Sequence, residues 1–181
     1  MILVTAVLAG FLVALARGGR PSQLAELPLR LGWLAMTAVL AQLYVIYSPA
    51  DRVEADRSLH SALLVASYTA LLAMVWANRR VAGMAVLALG LWMNMAVILA
   101  NGGFMPVSPE AVLVAGTRAA DSLPDEGASW YLSDAIADGR LPYSKVYSLG
   151  DLFLGAGVFL VIQLSMSGSE KSMRRVATGT I

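Results

Sequence analysis

Five apolar runs constrain this chain to one kind of fold. They are Met1–Ala16, Leu31–Ser48, Leu59–Ala77, Val81–Ala100 and Asp151–Met166. A membrane-spanning helix needs ~20 apolar residues, with ~17 as a lower limit. The first and last runs are slightly short and can borrow neighbours, such as Ser148-Leu149-Gly150 before the fifth. Composition agrees: 58% of residues are hydrophobic and 14% charged, whereas soluble domains carry about 25% charged residues. The expectation is an all-α integral membrane bundle of five transmembrane helices, forming a single transmembrane domain over residues 1–181.

Charge in the connecting segments sets the expected orientation. Arg17, Arg20 and Arg30 outweigh Glu26 after the first run, Arg79 and Arg80 stand alone after the third, and Lys171, Arg174 and Arg175 outweigh Glu170 in the tail. The positive-inside rule puts these three segments in the cytoplasm. Asp51, Glu54 and Asp56 outweigh Arg52 and Arg57, and the loop over residues 101–150 is acidic. Both are expected outside, giving N-terminus out, C-terminus in and a cytoplasmic tail over residues 167–181. The localisation that follows is the cell (inner or plasma) membrane, multi-pass, with the lipid bilayer as first partner. Tyr44, Tyr47, Trp130, Tyr131, Tyr143 and Tyr147 fall at the outer boundary, and Trp33 and Trp76 at the inner one, as an aromatic belt requires. Trp92 is mid-span and is expected against another helix. Ala14-Leu15-Ala16 mimics a signal-peptide cleavage site, but the positive charges follow the run instead of preceding it. A retained first helix is the favoured reading.

Several chemistries are excluded. There is no cysteine, so disulfides, thiolate nucleophiles and cysteine metal sites are absent. The single histidine, His60, excludes a multi-histidine metal site and is expected to face headgroups, although a bound pigment or haem would need such a residue. No cofactor, metal or nucleic acid is expected. Within the spans, Gln42, Asn94 and Gln163 read as interhelical hydrogen-bonding residues. Small residues are expected at helix contacts: the stripe Ala62, Ala66, Ala70 and Ala73, then Gly83 and Gly90, then Gly155 and Gly157.

The loop between the fourth and fifth runs is about 50 residues, and loops beyond ~15 residues are usually functional or disordered. It opens with Asn101-Gly102-Gly103-Phe104-Met105-Pro106-Val107, whose Asn and Gly suit left-handed turn angles. Ser108-Pro109-Glu110 fits a helix start, leading a short helix over residues 112–120. It ends in Tyr147-Ser148-Leu149-Gly150-Asp151. A carboxylate at the mouth of a membrane helix has a job or a partner. Asp151 is either the N-cap of the last helix, or an acid in its first turn with Ser148 as the cap instead, or half of a pair with Asp134, 17 positions upstream. Two carboxylates in a partly dry site cannot both ionise easily. One would then activate water while the other polarises a carbonyl, which is hydrolysis without a metal.

The segments at residues 101–107 and 147–151 resemble a family of small bacterial membrane proteins known only as a domain of unknown function, a likeness that implies no activity. Leu132-Ser133-Asp134-Ala135-Ile136 and Tyr147-Ser148-Leu149-Gly150-Asp151 are also similar to the two catalytic segments of lipoprotein signal peptidase. That resemblance implies an aspartyl dyad of Asp134 and Asp151 at the outer membrane face, with Asn101 and Ser148 as substrate-binding residues and a membrane-inserted peptide as substrate. This sequence departs from that family in lacking its asparagine–x–x–aspartate–arginine motif, and a whole helix precedes the match. The competing reading is a non-catalytic small subunit or assembly factor of a larger membrane complex, with other membrane subunits as partners.

Overall fold

The computed structural model describes residues 2–103, 105, 136–138 and 145–166. Among the described residues, seven helices carry the fold: α1 (Ile2–Ala16), α2 (Pro21–Ala25), α3 (Gly32–Tyr47), α4 (Ala50–Ala55), α5 (Arg57–Ala77), α6 (Met84–Ala100) and α7 (Leu149–Met166). Each of the five apolar runs holds a helix. α5 and α7 are long and apolar enough to cross a membrane, whereas α1, α3 and α6 are shorter apolar helices. An antiparallel pair, β1 (Ile136–Asp138) with β2 (Lys145–Tyr147), adds a short ribbon before α7. The short helix expected over 112–120 and the tail over 167–181, expected to be cytoplasmic, lie outside the described residues.

The helix boundaries have local causes. α6 starts at Met84 and not at Val81, because Gly83 holds φ +92 and breaks the helix there. At its other end α6 stops at Asn101, whose Nδ2 donates to the Val97 carbonyl at 2.7 Å. Gly102 (φ +66) and Gly103 (φ +95) then turn the chain, and Gly103 N–H donates to the Ile98 carbonyl at 2.8 Å. This is how a left-handed C-cap satisfies open carbonyls. The glycines take the left-handed angles expected of this turn, but Asn101, at φ −111, does not. α2 and α4 lie in stretches read as simple connections; Pro21 opens α2, where its missing N–H costs nothing.

The helices pack side by side in the spatial order α1, α7, α6, α5, α3, so the last helix lies between the first and the fourth apolar run. Val75, Met84, Leu91 and Leu154 are buried where α5, α6 and α7 meet. Ala14, Ile162 and Met166 are buried between α1 and α7, with Leu24 of α2 against them. Glycines permit the closest approach. A Cβ at Gly90 would lie 2.6 Å from the Gly150 carbonyl oxygen and 2.7 Å from Leu154 N, and one at Gly157 would lie 2.6 Å from Leu87 N. Gly83 approaches Val161 in the same way. Gly83 and Gly90 therefore face α7 as expected, and Gly150 joins Gly157 on the opposing surface.

The three polar residues read as interhelical hydrogen-bonding groups are used that way. Gln42 Nε2 donates to Ser67 Oγ at 3.1 Å, tying α3 to α5. Gln163 Nε2 donates to the Gly10 carbonyl at 2.6 Å, and its Oε1 accepts from Arg17 Nη1 at 3.3 Å, tying α7 to α1. Asn94 serves α6 and α7, as described below. At the opposite end of the bundle from Asn101, buried Asn78 pairs with the backbone of Arg30. Its Nδ2 donates to the Arg30 carbonyl at 2.7 Å while its Oδ1 accepts from Arg30 N–H at 2.8 Å. That two-point bond adjoins Leu31, a non-glycine residue at φ +59, a conformation that costs on the order of 1 kcal/mol or more and persists only where neighbours enforce it.

Three expectations fail. Ala62, Ala66 and Ala73 are exposed, because α5 turns its His60, Ser67 and Val75 face inward instead. Trp92 is 64% exposed and packs outward. His60 is buried, not turned to headgroups: its ring stacks on Tyr44 with centroids 5.5 Å apart, and Nδ1 lies 3.0 Å from the Asp56 carbonyl. A carbonyl only accepts, so Nδ1 carries a proton, and Nε2, also buried, has no hydrogen-bond partner among the described residues.

Gly90→Ala and Gly157→Ala should each lower stability by about 1–3 kcal/mol, the usual cost of overpacking. Gly32→Ala, with nothing within 4 Å of its Cβ, should not. Thermal melts of the purified protein in detergent check this, and an unchanged midpoint for both tight sites would contradict the close approach.

Candidate functional site

The polar cluster at the start of α7 grows from a local sequence pattern. Ser148 precedes the helix and Asp151 is its third residue, the spacing of a capping box. Both reciprocal bonds form: Asp151 N–H donates to Ser148 Oγ at 2.9 Å, and Ser148 N–H donates to Asp151 Oδ2 at 3.1 Å. Two backbone donors that the first turn would leave open are thereby satisfied. The carboxylate also complements the positive end of the helix dipole.

A second helix then joins the box. Asn94, buried in α6, donates from Nδ2 to Asp151 Oδ1 at 2.9 Å and to Tyr68 Oη of α5 at 3.4 Å. Its Oδ1 accepts from buried Ser148 Oγ at 2.8 Å. One amide thus links three helices, and its donors and acceptor are all engaged. Each Asp151 oxygen accepts one N–H, whereas a carboxylate has about four acceptor positions. The side chain is partly exposed, so acceptor capacity remains. Gly150 completes the arrangement, because a Cβ there would collide with Asn94 Oδ1. Ser148, Gly150 and Asp151 therefore each have a separate physical reason for their identity.

The structure brings Asp151 and Ser148 together. Asn101 stands at the C-terminus of α6, bonded to the Val97 carbonyl. Asp134 lies outside the described residues. The ribbon supplies the nearest constraint, with Ile136 opposite Tyr147, Ala137 opposite Val146 and Asp138 opposite Lys145. Among the described residues, no group of three or more His, Asp or Glu side chains could hold a metal. Sequence reasoning noted Asn94 but not its partner, and it missed Tyr68 altogether. The partnership joins positions 57 apart, and no periodicity signals which polar residue an acid will meet. The legible part is a capped helix start that holds Ser148 and Asp151.

Residues 26–163 match the model of a family of unknown function (DUF5317). The chain belongs to that family. The match takes in α3 to α6, the ribbon and nearly all of α7, and every residue of the Asn94, Tyr68, Ser148 and Asp151 cluster. α1 precedes it. No curated protein and no solved structure matches the chain.

Asn94→Ala should destabilise the protein by about 1–3 kcal/mol, because it strands a buried hydroxyl and a carboxylate. Asp151→Asn, which keeps an acceptor oxygen, should cost less. A double-mutant cycle on the pair, read by thermal or chemical unfolding, should give coupling above about 0.5 kcal/mol; additive effects would mean the bond contributes nothing.

Proposed function

We propose that this family member is a five-span cell-membrane protein, N-terminus out and C-terminus in, working as a non-catalytic small subunit or assembly factor of a larger membrane complex. The observation that carries the reading is that both oxygens of Asp151 are engaged by donors of the chain itself. The acid has an architectural role, closing α7 onto α6. Gln42 and Gln163 are used in the same manner, so each polar residue noted within the apolar runs joins helices.

The five-span arrangement has its own support. α3 and α6 have 16 and 17 residues, or about 24 and 26 Å at 1.5 Å per residue, near the ~30 Å hydrocarbon thickness. They pack beside α5 and α7. Their outward side chains are large and apolar, among them Trp33, Met36, Leu40, Ile46 and Trp92, a surface that suits lipid. The arginines at residues 17, 20, 30, 79 and 80 lie in the connections at one end, and the acids at 51, 54 and 56 in the connection at the other.

A second reading is an aspartyl-dyad hydrolase resembling lipoprotein signal peptidase, with its site at the outer face. The ribbon favours it: the strand beginning two residues after Asp134 pairs with the strand ending four residues before Asp151. Asp134 and Asp151 would share one proton around a water, and Asn101 would hold the substrate, a membrane-inserted peptide; Ser148, the other expected substrate-binding residue, is buried with its hydroxyl committed to Asn94.

Deleting the gene and complementing the loss separates the two. The architectural reading expects Asp134→Asn to complement fully and Asp151→Asn to complement in proportion to its residual stability. Loss of complementation by both variants at unchanged melting temperature would replace it with the dyad. Orientation is checked separately, since the chain has no cysteine of its own. In intact cells an impermeant maleimide should label Ser58→Cys and spare Ser22→Cys, and the reverse pattern would invert the topology.

A further inference from the structure

We propose that the end of the bundle formed by the α5–α6 turn and the α2–α3 connection is a binding site for an anionic phospholipid headgroup. The structure joins two basic segments that are remote in sequence. Asn78 holds the Arg30 backbone at two points, across 48 positions of chain. Arg30 is thereby fixed beside the turn that carries Arg79 and Arg80, and all three arginines are exposed. The neighbouring Leu31, at φ +59, shows that this connection is held in place and not merely lying there.

Each segment also carries a tryptophan three positions from an arginine. Trp33 follows Arg30 at the start of α3, and Trp76 precedes Arg79 at the end of α5. They are 63% and 70% exposed. The Arg79 guanidinium lies over the Trp76 ring, 5.1 Å from its centroid, and donates to the Trp76 carbonyl at 3.3 Å. That leaves Arg79 oriented by the helix end, while Arg30 and Arg80 remain exposed.

Exposed tryptophans sit at headgroup depth in a bilayer. Guanidinium groups pair with phosphate oxygens through fixed, two-pronged donor geometry. The only acid between Arg17 and Trp33 is Glu26, itself exposed and four residues before Arg30, so positive charge dominates. Basic pockets between helices on the cytoplasmic side are a recurrent form of headgroup recognition. This inference draws on the five-span reading only to say which leaflet supplies the lipid.

Native mass spectrometry of the full chain in detergent, titrated with phosphatidylglycerol or phosphatidylcholine, tests it. The wild type should retain phosphatidylglycerol preferentially. The double variant Arg30→Gln with Arg80→Gln should weaken that retention roughly 25-fold, at about fivefold per basic residue. It should still fold, because Asn78 bonds the Arg30 backbone and not its side chain. A second double variant at the other end, Arg52→Gln with Arg57→Gln, should leave retention unchanged. Equal retention of both lipids, or equal loss from both double variants, would overturn the proposal. So would inorganic phosphate binding as tightly as the lipid, since the site would then be a plain anion site. The measurement has no sidedness, so an inverted topology in the maleimide experiment would fail the orientation while leaving the headgroup site standing.

Discussion

The contact between α6 and α7 is the constraint on which the rest of the bundle depends. Two helices whose surfaces are apolar all round have no solvent-driven reason to choose one face over another once both are surrounded by apolar material. Here the choice is made by steric fit and by one polar linkage. Gly90 and Gly150 let the backbones meet, and Asn94 then reaches both Asp151 and Ser148. Neither part works without the other, since a side chain at Gly150 would displace the amide that the linkage needs.

That contact also explains the placement of α1 and α5. With one face of α7 committed to α6, its far side is left for α1, where Ile162 packs on Gly10 and Gln163 bonds the Gly10 carbonyl. On the other side, Tyr68 extends the Asn94 network to α5, and Gln42 carries the chain of interhelical bonds on to α3. The polar residues form a sequence of links across the bundle. Each is uncharged except Asp151, which sits at a helix mouth where its cost is lowest, and Arg17, which lies just past the end of α1.

Asp151 illustrates how far a sequence reading can go with a single acid. The sequence leaves Asp151 or Ser148 as the cap of α7, and the structure makes Ser148 the cap and Asp151 its reciprocal partner. Capping is local, involving backbone groups within three residues, so it is legible without tertiary information. The alanine stripe on α5 illustrates the opposite case. Regular spacing of small residues suggested a contact face, but α5 turns a bulkier face inward and leaves Ala62, Ala66 and Ala73 outside. His60 differs for a similar reason: its position near a helix start suggests an interface, whereas stacking on Tyr44 depends on where α3 packs.

The sequence by itself determined the apolar helices, most of their ends, the segregation of arginines from acids and the place of Ser148 and Asp151 at the mouth of α7. Those features depend on composition and on residues within a turn of each other. Only the tertiary structure decided that Asn94 is the partner of Asp151, that α7 lies between α1 and α6, and that Arg30 stands beside Arg79 and Arg80. These are choices among faces of nearly uniform hydrophobicity. Shape complementarity and the need to satisfy buried polar groups make such choices, and neither leaves a periodic trace in the chain.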